Sequence, residues 1–192
     1  MDEQSPSTDE GGTGPTLPDP AGTPAGLGDR IAAKVIDTVV LLPILIVAAV
    51  AAALGLYGLT LLVEGPLDGR LFARRDPMTF GVLPLTGLLW TLLVFGYYSL
   101  TEGRTGRTVG KRVTGLRVRS VSGAAASPGQ ARRRNAYHLA LLLAVIPGFG
   151  WPLALLVVLG LVISIVVTIA GDRVRQQGWH DRRGETVVVR SG

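Results

Sequence analysis

Residues 29–63 read DRIAAKVIDTVVLLPILIVAAVAAALGLYGLTLLV, and this stretch decides the fold. From Val39 to Val63 no residue carries a charge. At ~1.5 Å of rise per residue, a helix of that length outruns the ~30 Å hydrocarbon core of a bilayer. Asp37 stands at the mouth of this run, at the edge of a region where a carboxylate costs up to roughly 2.5–3.5 kcal/mol on insertion scales. Arg30, Lys34 and Asp37 follow at steps of four and three, which stacks them on one helical stripe. That stripe either faces other helices or water, or pairs internally and anchors the helix entrance. Seven residues is about 10 Å of axial rise, too far for a tight Arg30–Asp37 pair within one helix. Lys34 is the nearer local partner of Asp37, and Arg30 is free to reach Asp181 in the tail. Pro43 predicts a kink, since it removes one backbone donor.

Composition agrees with a membrane chain. Of 192 residues, 47% are hydrophobic and 17% charged, and the apolar ones come in blocks. The absence of cysteine excludes disulfides, thiolate metal sites and cysteine nucleophiles. A net charge of +5 hides an asymmetry: residues 1–29 hold six acids and no Lys or Arg, while 102–135 hold nine Lys/Arg against one acid. Beside apolar spans, that basic loop is explained by membrane topology rather than nucleic-acid binding.

The acidic, Gly/Pro-rich stretch 1–28 reads as a disordered tail and lacks the basic start of a secretory signal. Membrane segments are expected at about 31–63, 78–100, 136–147 and 152–170. Gly65-Pro66 and Asp68-Gly69 mark a turn, and Asp76-Pro77 can cap the second helix. Tyr97 and Tyr98 fit an aromatic belt. Within the basic loop 101–135, Leu116–Val121 alternates apolar and polar residues as a half-solvated strand does, and Thr186–Arg190 forms a second strand-like run. In the last apolar block, Ile146-Pro-Gly-Phe-Gly-Trp-Pro152 breaks the helix, leaving a first half short for a crossing. Two short strands need each other as partners, so the loop and tail are expected on one side of the membrane, the cytoplasmic one. The fold class is an all-α, multi-span bundle of three to four segments with a small β-hairpin-like element; a three-span arrangement with the tail outside is the alternative.

Catalytic motifs are weak. Gly103, Gly106 and Gly110 before Lys111 approach a phosphate loop, but Thr105 stands where its first glycine belongs and Arg112 replaces the magnesium-binding Ser or Thr. Basic charges for lipid head groups suit this turn better. His180-Asp181 lacks the spaced ligands a metal needs, and His138 lies on another element. No enzyme, cofactor or metal site is expected.

Three blocks then carry a resemblance. The start Arg30-Ile-Ala-Ala-Lys-Val-Ile-Asp37, the stretch Gly106-Arg-Thr-Val-Gly-Lys-Arg-Val-Thr-Gly-Leu-Arg-Val118, and the tail His180-Asp-Arg-Arg-Gly-Glu-Thr-Val-Val-Val189 resemble the signatures of the RDD membrane-protein family. The resemblance covers about 27–190, making 29–190 the membrane domain. Arg183-Gly184-Glu185 departs from the family's Ala-Gly before the threonine. It implies that Arg30, Asp37 and Asp181 are the name-giving residues, with Lys34, Lys111, Arg112 and His180 in support. The family is multi-span and mostly uncharacterised, with cation or proton transport suggested for some members. The expected function is therefore movement or binding of a small cation or proton near Asp37. The alternative is a non-transporting scaffold that holds anionic lipid or a partner protein. The expected setting is the plasma membrane, with cytoplasmic termini and homo-oligomers or a membrane partner.

Overall fold

The computed structural model describes residues 22–64 and 78–191. The turn at 65–69 and the Asp76-Pro77 cap lie outside the described residues. Helix α1 spans Leu27–Glu64 with Pro43 inside it. A π-helical turn at Met78–Val82 leads into α2, Leu83–Thr105, which opens with a proline in its first turn. Helix α2 runs five residues beyond the expected end near Leu100, and so carries Glu102 on helix rather than loop. Gly106 stops it in the left-handed region at φ 69°, returning its N–H to the Glu102 carbonyl. A Cβ there would press on the Val118 carbonyl, so glycine suits both the turn and the strand that follows.

The basic segment 101–135 folds densely. Helix α3, Val109–Val113, is capped by Thr108, and β1, Leu116–Ser120, follows. Helix α4, Pro128–Asn135, starts from a capping box in which Ser127 and Gln130 exchange hydrogen bonds. The tail supplies α6, Trp179–Arg183, and β2, Thr186–Arg190. The strands pair antiparallel with Val118 opposite Val188, as their need for partners predicts. Residues 22–25, assigned by composition to a disordered tail, instead cover the other edge of β2: Ala25 N–H donates to Val188, and Arg190 N–H to Thr23. The small core of Ala25, Ala33, Leu116, Val118, Ala126 and Val188 lies under this sheet, not inside the helix bundle.

The segment after α4 is a ten-residue 3-10 helix, Ala136–Val145. At ~2.0 Å per residue it reaches ~20 Å, where an α-helix of equal length reaches ~15 Å. That extension answers the shortness seen in the sequence. It runs antiparallel to α2, with His138 stacked on Tyr98 and Ala144 against Gly87. The break is narrower than 146–152, because α5, Gly150–Gly171, already includes Trp151 and Pro152. Trp151 donates to the Leu83 carbonyl at the far end of α2, and Thr168 accepts from Trp179 beside the sheet. Residues 136–171 thus go out and come back, placing β1 and β2 on one face. This excludes the arrangement with the tail opposite the basic loop.

Helices α1, α2 and α5 belong to three segments long and apolar enough to cross a membrane. Their outer faces are predominantly hydrocarbon, with Val47, Leu62, Leu92, Leu156 and Val167 all exposed. In water such faces would associate; in lipid they are solvated.

Candidate functional site: a buried charge network beneath the sheet

Three carboxylates lie at the sheet-side end of the bundle, each 1% exposed or less. Burial on that scale demands partners, and each acid has its own set. Asp37 accepts three hydrogen bonds at 2.7 Å, from Tyr97 Oη, Thr108 Oγ1 and the Gly110 N–H. Glu102 holds the Lys111 ammonium, Arg134 Nε at 3.3 Å and Asn135 Nδ2 at 2.9 Å. Asp181 holds Arg30 Nη1 at 2.6 Å and Arg134 Nη1 at 2.7 Å, and accepts the Gly178 N–H. Arg134 therefore bridges two acids from the end of α4, tying α2 to the tail.

Local sequence explains the positions. In Gly106–Lys111, Gly106 ends α2, and Thr108 both caps α3 and donates to Asp37. Gly110 lets α3 touch α1 so closely that a Cβ would collide with the Ala33 carbonyl. Lys111 then turns back to Glu102. A phosphate-loop-like sequence is thus a carboxylate clamp. Arg112, its neighbour, is exposed and stands apart from the cluster.

Electrostatics keep the network ionised. Burial alone would raise Asp181, but Arg134, then His180 and Arg30, outweigh it and hold the carboxyl well below its usual range. Burial lowers Arg134, yet Asp181 and Glu102 more than restore it. Burial also pulls Lys111 down to about 8 against the attraction of Glu102. His180, 3.2 Å from Asp181, is pushed down to about 4, mainly by burial and against the pull of that carboxylate. It is neutral at physiological pH.

Lys34 differs from the other cations. It makes no ion pair among the described residues. Its ammonium lies 3.5 Å over the Tyr98 ring, 3.1 Å from Tyr137 Oη and 3.4 Å from His138 Nε2. The expected Lys34–Asp37 pairing is replaced by these aromatic contacts. Arg30, Lys34, Lys111 and Arg134 face Asp37, Glu102 and Asp181, so four cations meet three carboxylates. One positive charge is left over.

A cavity of about 180 Å³ opens onto this excess, lined by Arg30, Lys34, Asp37, Glu102, Lys111 and His180 at its polar end. Its other wall is apolar, with Ile31 from α1 and Val162, Ile165 and Val166 from α5. Arg30, Asp37, Asp181, Lys34, Lys111 and His180 therefore gather at one place, and Arg112 does not. Sequence reading missed Glu102, Arg134, Asn135 and Thr108 as members. Tyr97 and Tyr98, assigned to an aromatic belt, turn inward. The available signal was Glu102 itself, the one acid in a basic stretch at the end of an apolar span.

Three apolar helices long enough to span a bilayer, closed at one face by a small sheet and a buried ionic network, define a multi-span α-helical membrane protein. The chain belongs to the RDD family, whose model matches residues 24–185. No curated protein and no solved structure matches it.

Proposed function

We propose that this domain is a non-enzymatic binding module that holds an anion inside the membrane, at the cavity between Arg30 and Lys34. The observation that carries this reading is the charge imbalance. All three acids are already occupied by protein donors, while Lys34 has no acid and faces the cavity. Lys34 is exposed at the cavity edge beside apolar residues, where a cation without an acid is costly until a counter-charge arrives, and a bound anion supplies it. The basic residues Arg104, Arg107, Arg112, Arg132 and Arg133 crowd the sheet face, which supports a cytoplasmic location for it and for both ends of the domain, in the plasma membrane.

The test is a thermal titration of the full chain in uncharged detergent with inorganic phosphate and dodecyl phosphate. At least one should raise the unfolding midpoint of the parent, and neither should raise that of Lys34→Gln. No shift in the parent, or an equal shift in the variant, defeats the reading. Passage of a small cation or proton is a second reading, favoured by Asp37 lining the same cavity. It requires sodium or proton flux in proteoliposomes that Asp37→Asn abolishes without loss of protein.

A further inference from the structure

The cavity has one polar end and one apolar side, and these face different surroundings. Arg30 supplies the strongest sign of a missing partner. Its side chain is 9% exposed and donates through Nη1 to Asp181 and through Nε to the Ala25 carbonyl. Its Nη2 is buried with no partner among the described residues. An unpaired guanidinium nitrogen is unusual where burial is this complete, since leaving a charged donor unmet costs more than leaving a neutral one. Arg30 and Lys34 are four residues apart on α1, hence on one face, and both line the cavity.

The opening is lateral. Ile31 and Val162 line the cavity and are also 50% and 43% exposed on the outer apolar surface. They form two lips of a gap between α1 and α5, two helices whose outer faces meet lipid. Ile165, Val166 and Ile169 continue the apolar wall from Val162 along α5 toward the charged end, which Ile31 adjoins. A small hydrated anion would gain nothing from that wall, whereas an acyl chain gains roughly 0.8 kcal/mol for each methylene it buries. A cavity of about 180 Å³ takes an acidic group and the first carbons of a chain. The rest can lie along the α1–α5 gap.

We propose that the occupant is an anionic membrane lipid, entering sideways between α1 and α5, with its phosphate or carboxylate on Arg30 Nη2 and Lys34 Nζ. This rests on the anion-binding reading and names the class of anion. Its head sits at the depth of the sheet, where the acidic group meets guanidinium and ammonium donors rather than water. The cation–aromatic contact of Lys34 with Tyr98 holds the ammonium at the cavity edge.

The experiment releases the full chain from nanodiscs containing equal phosphatidylglycerol and phosphatidylcholine and counts retained lipid by native mass spectrometry. A parallel thermal titration uses inorganic phosphate. The parent should retain phosphatidylglycerol selectively, and Lys34→Gln and Val162→Trp should each cut that retention at least tenfold. Ile31→Trp, at the opposite lip, repeats the blockade should Val162→Trp fail to fold. If phosphate stabilises the parent as well as the lipid does and neither tryptophan matters, the lipid assignment falls while anion binding stands. Equal retention of both lipids in parent and variants, with no effect of phosphate, overturns both.

Discussion

Arg30 in the first turn of α1 and Asp181 in α6 are 151 residues apart in the chain and 2.6 Å apart in space. The contact joins the beginning of the membrane domain to its end. Because Arg134 approaches the same carboxylate, the tail cannot leave the bundle without stranding Arg30 and taking one of two acids from Arg134.

Removing one partner of a buried pair is therefore the severe change. Asp181→Asn should cost about 3–5 kcal/mol, read as a large fall in unfolding midpoint and in abundance. Arg30→Gln with Asp181→Asn should recover part of that loss, because one stranded charge is removed while Arg134 retains Glu102. Additive losses in the double variant would contradict the coupling.

The α1–α3 contact at Gly110 makes a second, sterically based prediction. Gly110→Ala should destabilise markedly, since its Cβ meets the Ala33 backbone and pushes away the N–H that serves Asp37. Gly28→Ala, where nothing lies within 4 Å of the added carbon, should be neutral or stabilising. Equal effects at the two sites would refute the close approach.

Much of this fold was legible in the sequence because membrane spans depend on length and apolarity alone. Asp29–Val63 could be read by counting, and the alternation in Leu116–Val121 marked β1. The 3-10 form of Ala136–Val145 was not legible, because a ten-residue apolar run looks the same in either helix and only packing against α2 selects the longer rise. The site was half legible. Arg30 and Asp37 stood out as charges at an apolar border and Asp181 through the resemblance of the tail, but Glu102 and Arg134 looked like ordinary members of a basic loop. Their burial comes from α2 continuing to Thr105 and α4 folding across it, a tertiary effect whose one local signature is Glu102 as the lone acid of a basic stretch.

His180 gives the pH dependence. Arg30, Lys34, Arg134, Asp181 and Tyr137 surround it, and its folded value is about 4 against an ordinary 6.5. Between those values the unfolded chain takes up a proton that the folded one refuses, so stability is full above pH 6.5 and declines as pH falls toward 4. The loss reaches about 3 kcal/mol. Unfolding midpoints of the parent should drop across that window, and those of His180→Gln should drop less steeply, the remainder belonging to the second buried histidine, His138. The same slope in both would assign the acid sensitivity elsewhere.

Sidedness can be checked with cysteines, because the parent has none. Single cysteines at Ser122 and Arg183, both exposed on the sheet face, should respond alike to an impermeant thiol reagent in intact cells, both protected if that face is cytoplasmic. Labelling at one and not the other is incompatible with the β1–β2 pairing.

The most direct measurement of the central claim is anomalous diffraction from crystals of the full chain soaked separately in bromide and in rubidium. An anion site predicts a bromide peak in the cavity, touching Lys34 Nζ and Arg30 Nη2, that disappears in Lys34→Gln. A rubidium peak on Asp37 with no bromide in the cavity would contradict the account and give the site to a cation.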